Sequence, residues 1–121
     1  MKTRKYYSSL KKEKATKTVA LFKEGIKKTL QKNSIFIKKL KKLQQSGWKK
    51  EGISIVKTYK TKNFPQTMAL VSGICGLCQQ YDHHPDYLTM KYAEVKVSFS
   101  THSAGQLTQK DVDIASDIEN L

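Results

Sequence analysis

Residues 94–101 read Glu-Val-Lys-Val-Ser-Phe-Ser-Thr, and apolar side chains alternate with polar ones along this stretch. Successive side chains of a β-strand point to opposite faces of a sheet, so Val95, Val97 and Phe99 share one face. The pattern therefore predicts a strand over residues 94–101 with one buried and one polar face. A sheet of this kind is covered on its apolar side and belongs with antiparallel architectures.

Upstream of this strand the sequence predicts a helix and a partner strand over residues 87–92. Asn63 is the expected N-cap of the helix, Pro65 is tolerated in its first turn, and Gln66 completes a variant of the capping box. The helix carries two apolar stripes, formed by Phe64, Met68, Val71, Cys75 and Cys78 and by Leu70, Ile74, Leu77 and Tyr81. A helix that is apolar on two sides must be covered twice, so we expect one stripe on the sheet and the other on a partner subunit.

The remaining segments complete an α+β pattern. Residues 1–33 form a weakly amphipathic basic helix, and Asn33-Ser34 predicts a break and a new N-cap. A second helix then ends near Gly47, and a hairpin follows with its return strand over residues 53–62. Thr108 with Asp111 opens a final helix. The order helix-hairpin-helix-hairpin-helix predicts a four-stranded antiparallel sheet with helices packed on one face, preceded by a basic helical N-terminal extension.

The charge of the chain is divided unevenly between its two parts. Residues 1–52 hold 17 Lys and Arg but three acids, whereas residues 53–121 hold six Lys and seven acids. We therefore expect an extension over residues 1–33 and a nearly neutral domain over residues 34–121. The extension is open to three interpretations: a solvated helix, a targeting segment, or a nonspecific contact with nucleic acid or an anionic membrane. A dedicated nucleic-acid domain is not favoured, because such domains carry their charge on the folded surface.

No stretch of the sequence approaches the length of a membrane-spanning helix, and no secretory signal is recognisable. Two cysteines in such a chain predict free thiols in a reducing compartment. We therefore expect a cytoplasmic protein, or an organellar one if the extension is a targeting segment.

The three histidines of the chain, His83, His84 and His102, all follow predicted secondary-structure elements. Loops on a rigid scaffold can bring such residues together, and clustered imidazoles suit paired acid and base catalysis near neutral pH. In the purely structural alternative, His83 caps the helix, His84 is half-buried and His102 bonds a backbone carbonyl. A zinc site with Cys75 and Cys78 is disfavoured, because helical periodicity already explains both cysteines as core residues.

Specific motifs surround these histidines. They are Asp82-His83-His84-Pro85-Asp86-Tyr87, then Tyr92 and Val95, then Ser100-Thr101-His102 and Gly105-x-Leu107-Thr108-x-x-Asp111, with Gly47-Trp48 and Lys62-Asn63-Phe64 upstream. Over residues 34–121 the chain resembles the pterin-4a-carbinolamine dehydratases.

This resemblance implies an α+β subunit that forms a homodimer or a homotetramer. The implied reaction is loss of water from 4a-hydroxytetrahydrobiopterin, or a related tetrahydropterin, in tetrahydrobiopterin recycling; the pterin is the substrate, and neither a metal nor a bound cofactor is used. The implied catalytic residues are His83, His84 and His102. The residues expected to shape the pterin pocket with them are Asp82, Ser100, Thr101 and Ser103. Animal relatives of this family also stabilise dimers of a transcription factor, which gives a non-enzymatic alternative.

Two positions depart from the family pattern. Many members carry a glutamate where this chain has Gln79, and a second glycine where it has Gln106. Loss of the carboxylate is expected to alter pterin binding or the pH optimum, and the missing glycine restricts the backbone after His102. Both changes leave the histidines in place, so we expect activity to be retained.

Overall fold

The computed structural model describes the backbone of residues 2–121 and the side chains from residue 16 onward. The chain divides into two compact units, Met1–Ile35 and Phe36–Leu121. The elements are α1 (Lys2–Gln45), β1 (Lys49–Glu51), β2 (Ser54–Lys60), α2 (Phe64–Tyr81), β3 (Tyr87–Lys91), β4 (Glu94–Phe99), a short 3-10 helix (His102–Ala104) and α3 (Gln109–Glu119). The predicted domain boundary after residue 33 stays a prediction.

The four strands form one antiparallel sheet in the order β1-β2-β4-β3, which confirms the predicted α+β architecture. Val95, Val97 and Phe99 are fully buried, as their alternation predicts. Strand β4 ends at Phe99 rather than residue 101, because Ser100 and Thr101 leave the ladder and bond aspartate side chains instead. Strand β2 likewise ends at Lys60 rather than residue 62, since its partner Glu94 is the first residue of β4; one more backbone hydrogen bond, from the Thr61 N–H to the Ala93 carbonyl at 3.0 Å, lies beyond the paired strands.

The core lies between the sheet and the helices. Its buried residues are Leu43, Trp48, Ile55, Ile74, Cys78, Val95, Val97, Phe99, Val112, Ile114, Ala115 and Ile118. Burying an aliphatic or aromatic side chain of this size contributes about 1.5–3 kcal/mol, so these residues supply the main driving force for folding. Of the two cysteines predicted to be core residues, Cys78 is buried but Cys75 is exposed, because α2 turns the Cys75 side of its stripe outward.

The predicted starts of α2 and α3 are confirmed. Asn63 Oδ1 accepts a hydrogen bond from the Gln66 backbone N–H at 2.9 Å, and Gln66 Oε1 accepts one from the Lys62 N–H at 2.6 Å. At α3, Thr108 and Asp111 form a reciprocal capping box. These local bonds fix where α2 and α3 begin.

The break predicted at Asn33-Ser34 is wrong, because α1 is continuous across both residues. Asn and Ser inside a helix each cost less than about 1 kcal/mol relative to Ala, which neighbouring helix-forming residues offset. None of the described helices combines the length and the apolar content of a bilayer-spanning segment.

A cluster around Glu119 joins the end of α3 to the first hairpin. Glu119 Oε1 accepts hydrogen bonds from Trp48 Nε1 at 2.7 Å, from Tyr59 Oη at 3.0 Å and from Lys57 Nζ. Burial acts to raise the pKa of Glu119, but the bonds from Lys57, Tyr59 and Trp48 outweigh it and hold the pKa below its ordinary value. The carboxylate is therefore charged at neutral pH and ties the two elements together.

Replacing Glu119 by Gln should lower the free energy of unfolding at neutral pH by about 2 kcal/mol, since hydrogen bonds to a charged acceptor are lost. Because folding depresses the pKa of Glu119, its contribution is complete above the ordinary Glu pKa and disappears as the pH falls through the lower folded value. Urea unfolding of wild type and E119Q should therefore differ at neutral pH and converge in acid. The control E51Q removes an exposed carboxylate on β1 and should cause no measurable change; a difference that is the same at both pH values would contradict the assignment.

Candidate active site

The carboxylate of Asp86 collects four hydrogen bonds at the start of β3. Ser100 Oγ donates to Oδ1 at 2.6 Å, and the hydroxyls of Ser54 and Ser98 donate to Oδ2 at 3.0 Å each. His102 Nε2 lies 2.8 Å from Asp86 Oδ1. Burial acts to raise the pKa of Asp86, but these four hydrogen bonds, led by that of Ser100, lower it below its ordinary value. Asp86 is thus a charged anchor for the His102 ring.

Asp111 forms a second network around the other histidine. Its side chain is completely buried, and its Oδ1 lies 2.5 Å from His83 Nε2. Its Oδ2 accepts from Thr101 Oγ1 at 2.8 Å and from the Thr108 backbone N–H at 2.9 Å. The His83 ring also stacks on Phe99, with ring centroids 6.1 Å apart. The residue that caps α3 therefore also holds a histidine.

The two networks meet at the end of β4. Ser100 bonds Asp86 and the next residue, Thr101, bonds Asp111, so consecutive side chains reach the two carboxylates. His102 comes directly after them and turns back to Asp86. The two histidine-carboxylate pairs are thereby fixed to one short piece of backbone.

Both His83 and His102 bond their carboxylates through Nε2. When Nε2 carries the proton that this bond requires, the opposite nitrogen, Nδ1, accepts a proton in the neutral ring and donates one in the charged ring. A carboxylate partner orients the imidazole ring. A pair whose ring is accessible can therefore exchange protons with a bound molecule through Nδ1.

The three histidines differ in their exposure. The side chain of His83 is 11% exposed and that of His102 is 77% exposed. His84 is exposed, and among the described residues none hydrogen-bonds its ring. These contacts differ in detail from the purely structural alternative: the rings of His83 and His102 bond carboxylates and His84 is exposed, although the His83 backbone N–H bonds the Cys78 carbonyl at the end of α2. Whether the three histidines are catalytic stays a prediction.

The other predicted site residues lie around these pairs. Asp82 ends α2 in the left-handed conformation, with φ of 49°, and its backbone N–H reaches Cys78 and Gln79 carbonyls. Ser103 is exposed in the 3-10 helix. A contact of Asp82, Ser100, Thr101 or Ser103 with substrate stays a prediction.

Sequence reasoning assigned no role in the site to Asp86, and it treated Asp111 only as a helix cap. Both residues stand inside the quoted motifs, Asp86 two residues after His84 and Asp111 nine residues after His102. Spacing could have marked them as candidate partners, but nothing in the order of residues shows which carboxylate reaches which ring.

Comparison with known proteins identifies one family. Residues 29–121 match the family model described as pterin 4 alpha carbinolamine dehydratase. Relatives named "Putative pterin-4-alpha-carbinolamine dehydratase" include one from Thermomicrobium roseum, 37% identical over 62% of this chain and 80% of that protein, and one from Trichormus variabilis, 41% identical over 63% and 81%.

Two solved structures share the fold. One is a transcriptional coactivator/pterin dehydratase from Brucella melitensis, with a TM-score of 0.61 and 24% identity over 67% of this chain and 89% of that one. The other is a pterin dehydratase-like protein identified as a RuBisCO assembly factor in the alpha-carboxysome, with a TM-score of 0.52 and 14% identity over 60% and 83%. At these identities the likeness concerns the fold alone.

Ser100→Ala should raise the pKa of Asp86 toward its ordinary value, because the nearest donor to the carboxylate is removed. The carboxyl carbon shift of Asp86, followed by NMR during an acid titration, reports this change. Ser103→Ala is the matched control and should leave the titration unaltered, since Ser103 does not bond Asp86. An unchanged midpoint in S100A would contradict the network.

His83→Ala should lower the free energy of unfolding by about 2 kcal/mol, because the buried Asp111 carboxylate loses a hydrogen bond and Phe99 loses a packing partner. His84→Ala is the adjacent control and should change stability by less than about 0.5 kcal/mol. Urea unfolding of wild type and of the two variants measures both changes in the free energy of unfolding. Equal losses would show that the buried pair does not stabilise the fold.

Proposed function

Because the chain belongs to the pterin 4 alpha carbinolamine dehydratase family, we propose that it removes water from 4a-hydroxytetrahydrobiopterin or a related 4a-hydroxytetrahydropterin. The product is the quinonoid dihydropterin, and the reaction belongs to tetrahydropterin recycling. The observation that carries the proposal is the pair of histidine-carboxylate contacts at the end of β4. Family membership supplies the substrate class, and these contacts supply the proton chemistry.

The reaction needs two proton transfers and no change in oxidation state. A proton reaches the 4a-hydroxyl oxygen, the bond from that oxygen to C4a breaks, and water leaves. The neighbouring ring nitrogen loses its proton, and its electron pair forms the new C=N bond to C4a. One group must therefore deliver a proton and another must remove one, each near neutral pH.

His102 and His84 are the more accessible of the three rings, which supports assigning these transfers to them. His102 is exposed, and Asp86 holds its Nε2, so Nδ1 is the nitrogen that faces away from the anchor. His84 is exposed and leaves both ring nitrogens available, since no described residue hydrogen-bonds it. We propose that these two histidines exchange protons with the pterin.

His83 has a different position. Its ring lies between Phe99 and the buried Asp111, and the 11% exposure of its side chain limits contact with a substrate. We propose that His83 mainly fixes the backbone that carries His84. The three predicted catalytic histidines would then divide into two that touch the pterin and one that positions its neighbour.

We propose self-association through the apolar stripe of α2 that contains Phe64 and Met68, because these two side chains are 42% and 38% exposed. The sequence predicted that one of the two α2 stripes contacts a partner subunit. A second role in protein binding is suggested by the two solved structures of this fold, one a transcriptional coactivator/pterin dehydratase and the other a RuBisCO assembly factor. Loss of dehydratase activity in histidine variants would leave such protein binding unchanged, which separates the two functions.

His84→Ala and His102→Ala should each lower kcat for dehydration by about 100-fold or more, the usual contribution of a general acid or base. The assay follows the decay of a 4a-hydroxytetrahydropterin generated in situ with purified protein. Lys49→Gln, an exposed change on β1, is the control and should retain full activity. Gln79→Glu, run beside them, tests whether the family carboxylate alters the pH optimum. Failure of wild type to accelerate dehydration would disprove the proposal.

A further inference from the structure

The described part of the first unit, residues 16–35, combines exposed apolar side chains with lysines. Along α1, Val19, Phe22, Ile26 and Leu30 follow one another at spacings of three and four residues, and we call these four the apolar row. At roughly 100° per residue, such spacing keeps the four side chains on one narrow face of the helix. This face is continuous over about three turns.

The side chains of the apolar row are strongly exposed. Phe22 is 70% exposed, Leu30 62%, Val19 51% and Ile26 44%. Single exposed apolar residues are common on proteins, but a row of four on one helix face indicates a surface that contacts something apolar. A helix that contacts only water has no physical requirement for Phe22 and Leu30 at these positions.

Lysines border this face on one side and occupy much of the opposite face of the helix. Residues 16–35 contain five lysines, Lys17, Lys23, Lys27, Lys28 and Lys32, against the single acid Glu24. When the helix is wound at roughly 100° per residue, Lys23 and Lys27 border the apolar row and Lys28 lies on the far side. The helix therefore presents apolar side chains in the centre and ammonium groups beside and behind them.

We propose that residues 16–35 of α1 bind the surface of an anionic lipid bilayer, with the apolar row inserted among the headgroups and with Lys23 and Lys27 facing lipid phosphates and carboxylates. A helix of low overall hydrophobicity with a lysine-rich polar face is suited to lie in the membrane interface. Each lysine near an anionic leaflet adds to the attraction. Nucleic acid explains the lysines but leaves the apolar row without a partner, and so it is disfavoured.

The test is cosedimentation of the full-length chain with vesicles of phosphatidylcholine, with and without phosphatidylserine. Wild type should bind the vesicles that contain phosphatidylserine, and binding should weaken as salt is added. The affinity of the double variant F22S/L30S for these vesicles should be lower by at least about tenfold, since two inserted side chains are lost. The matched control is L21S, which removes an equally exposed apolar residue that lies off the row.

A charge variant completes the design. K23Q/K27Q should weaken binding to phosphatidylserine vesicles several-fold, whereas the control K49Q/K50Q, with two exposed lysines on β1, should not. Absence of binding to these vesicles would overturn the proposal, as would equal losses in F22S/L30S and L21S. Salt-sensitive binding to duplex RNA or DNA that is unaffected by F22S/L30S, without vesicle binding, would assign the helix to nucleic acid instead. Dehydratase activity measured in the same samples is a separate readout and does not decide the outcome.

Discussion

The buried carboxylate of Asp111 is the constraint on which the candidate site depends. It begins α3 by accepting the Thr108 N–H, it holds Thr101 beyond the end of β4, and it fixes the ring of His83. A carboxylate with no exposure to solvent is costly unless its oxygens are well bonded, so these contacts have to form together. The start of α3 and the position of the His83 ring are therefore fixed by the same side chain.

The second carboxylate, Asp86, likewise holds a histidine ring, that of His102, but it lies nearer to solvent. Three serine hydroxyls from β2, β4 and the segment after β4 hold it in place, which leaves His102 as its only ring partner among the described residues. The site thus has a rigid inner pair and an outer pair whose ring is accessible. This division suits a reaction in which a substrate must reach the protonating groups while the surrounding backbone stays fixed.

Much of the fold could be predicted from the sequence, because its signals are local. The alternation around Val97 and the caps at Asn63 and Thr108 reflect contacts between close neighbours. The helix break expected at Asn33-Ser34 is absent, because two residues of weak helix propensity do not end a helix when the residues on both sides favour it. The histidines were identified as a group, but the roles of Asp86 and Asp111 were not, since their pairing depends on how β4 and α3 come together in space.

The left-handed backbone angle of Asp82 makes the number of residues between α2 and β3 important for the orientation of the histidines. Asp82 turns the backbone into the left-handed region, after which His83 faces the interior and His84 faces solvent. Neighbouring side chains in non-helical backbone diverge, so the junction from Asp82 to Pro85 sets which imidazole is inside. An inserted or deleted residue between Asp82 and His83 would shift this alternation by one position, and the His83 ring would then be directed away from Asp111.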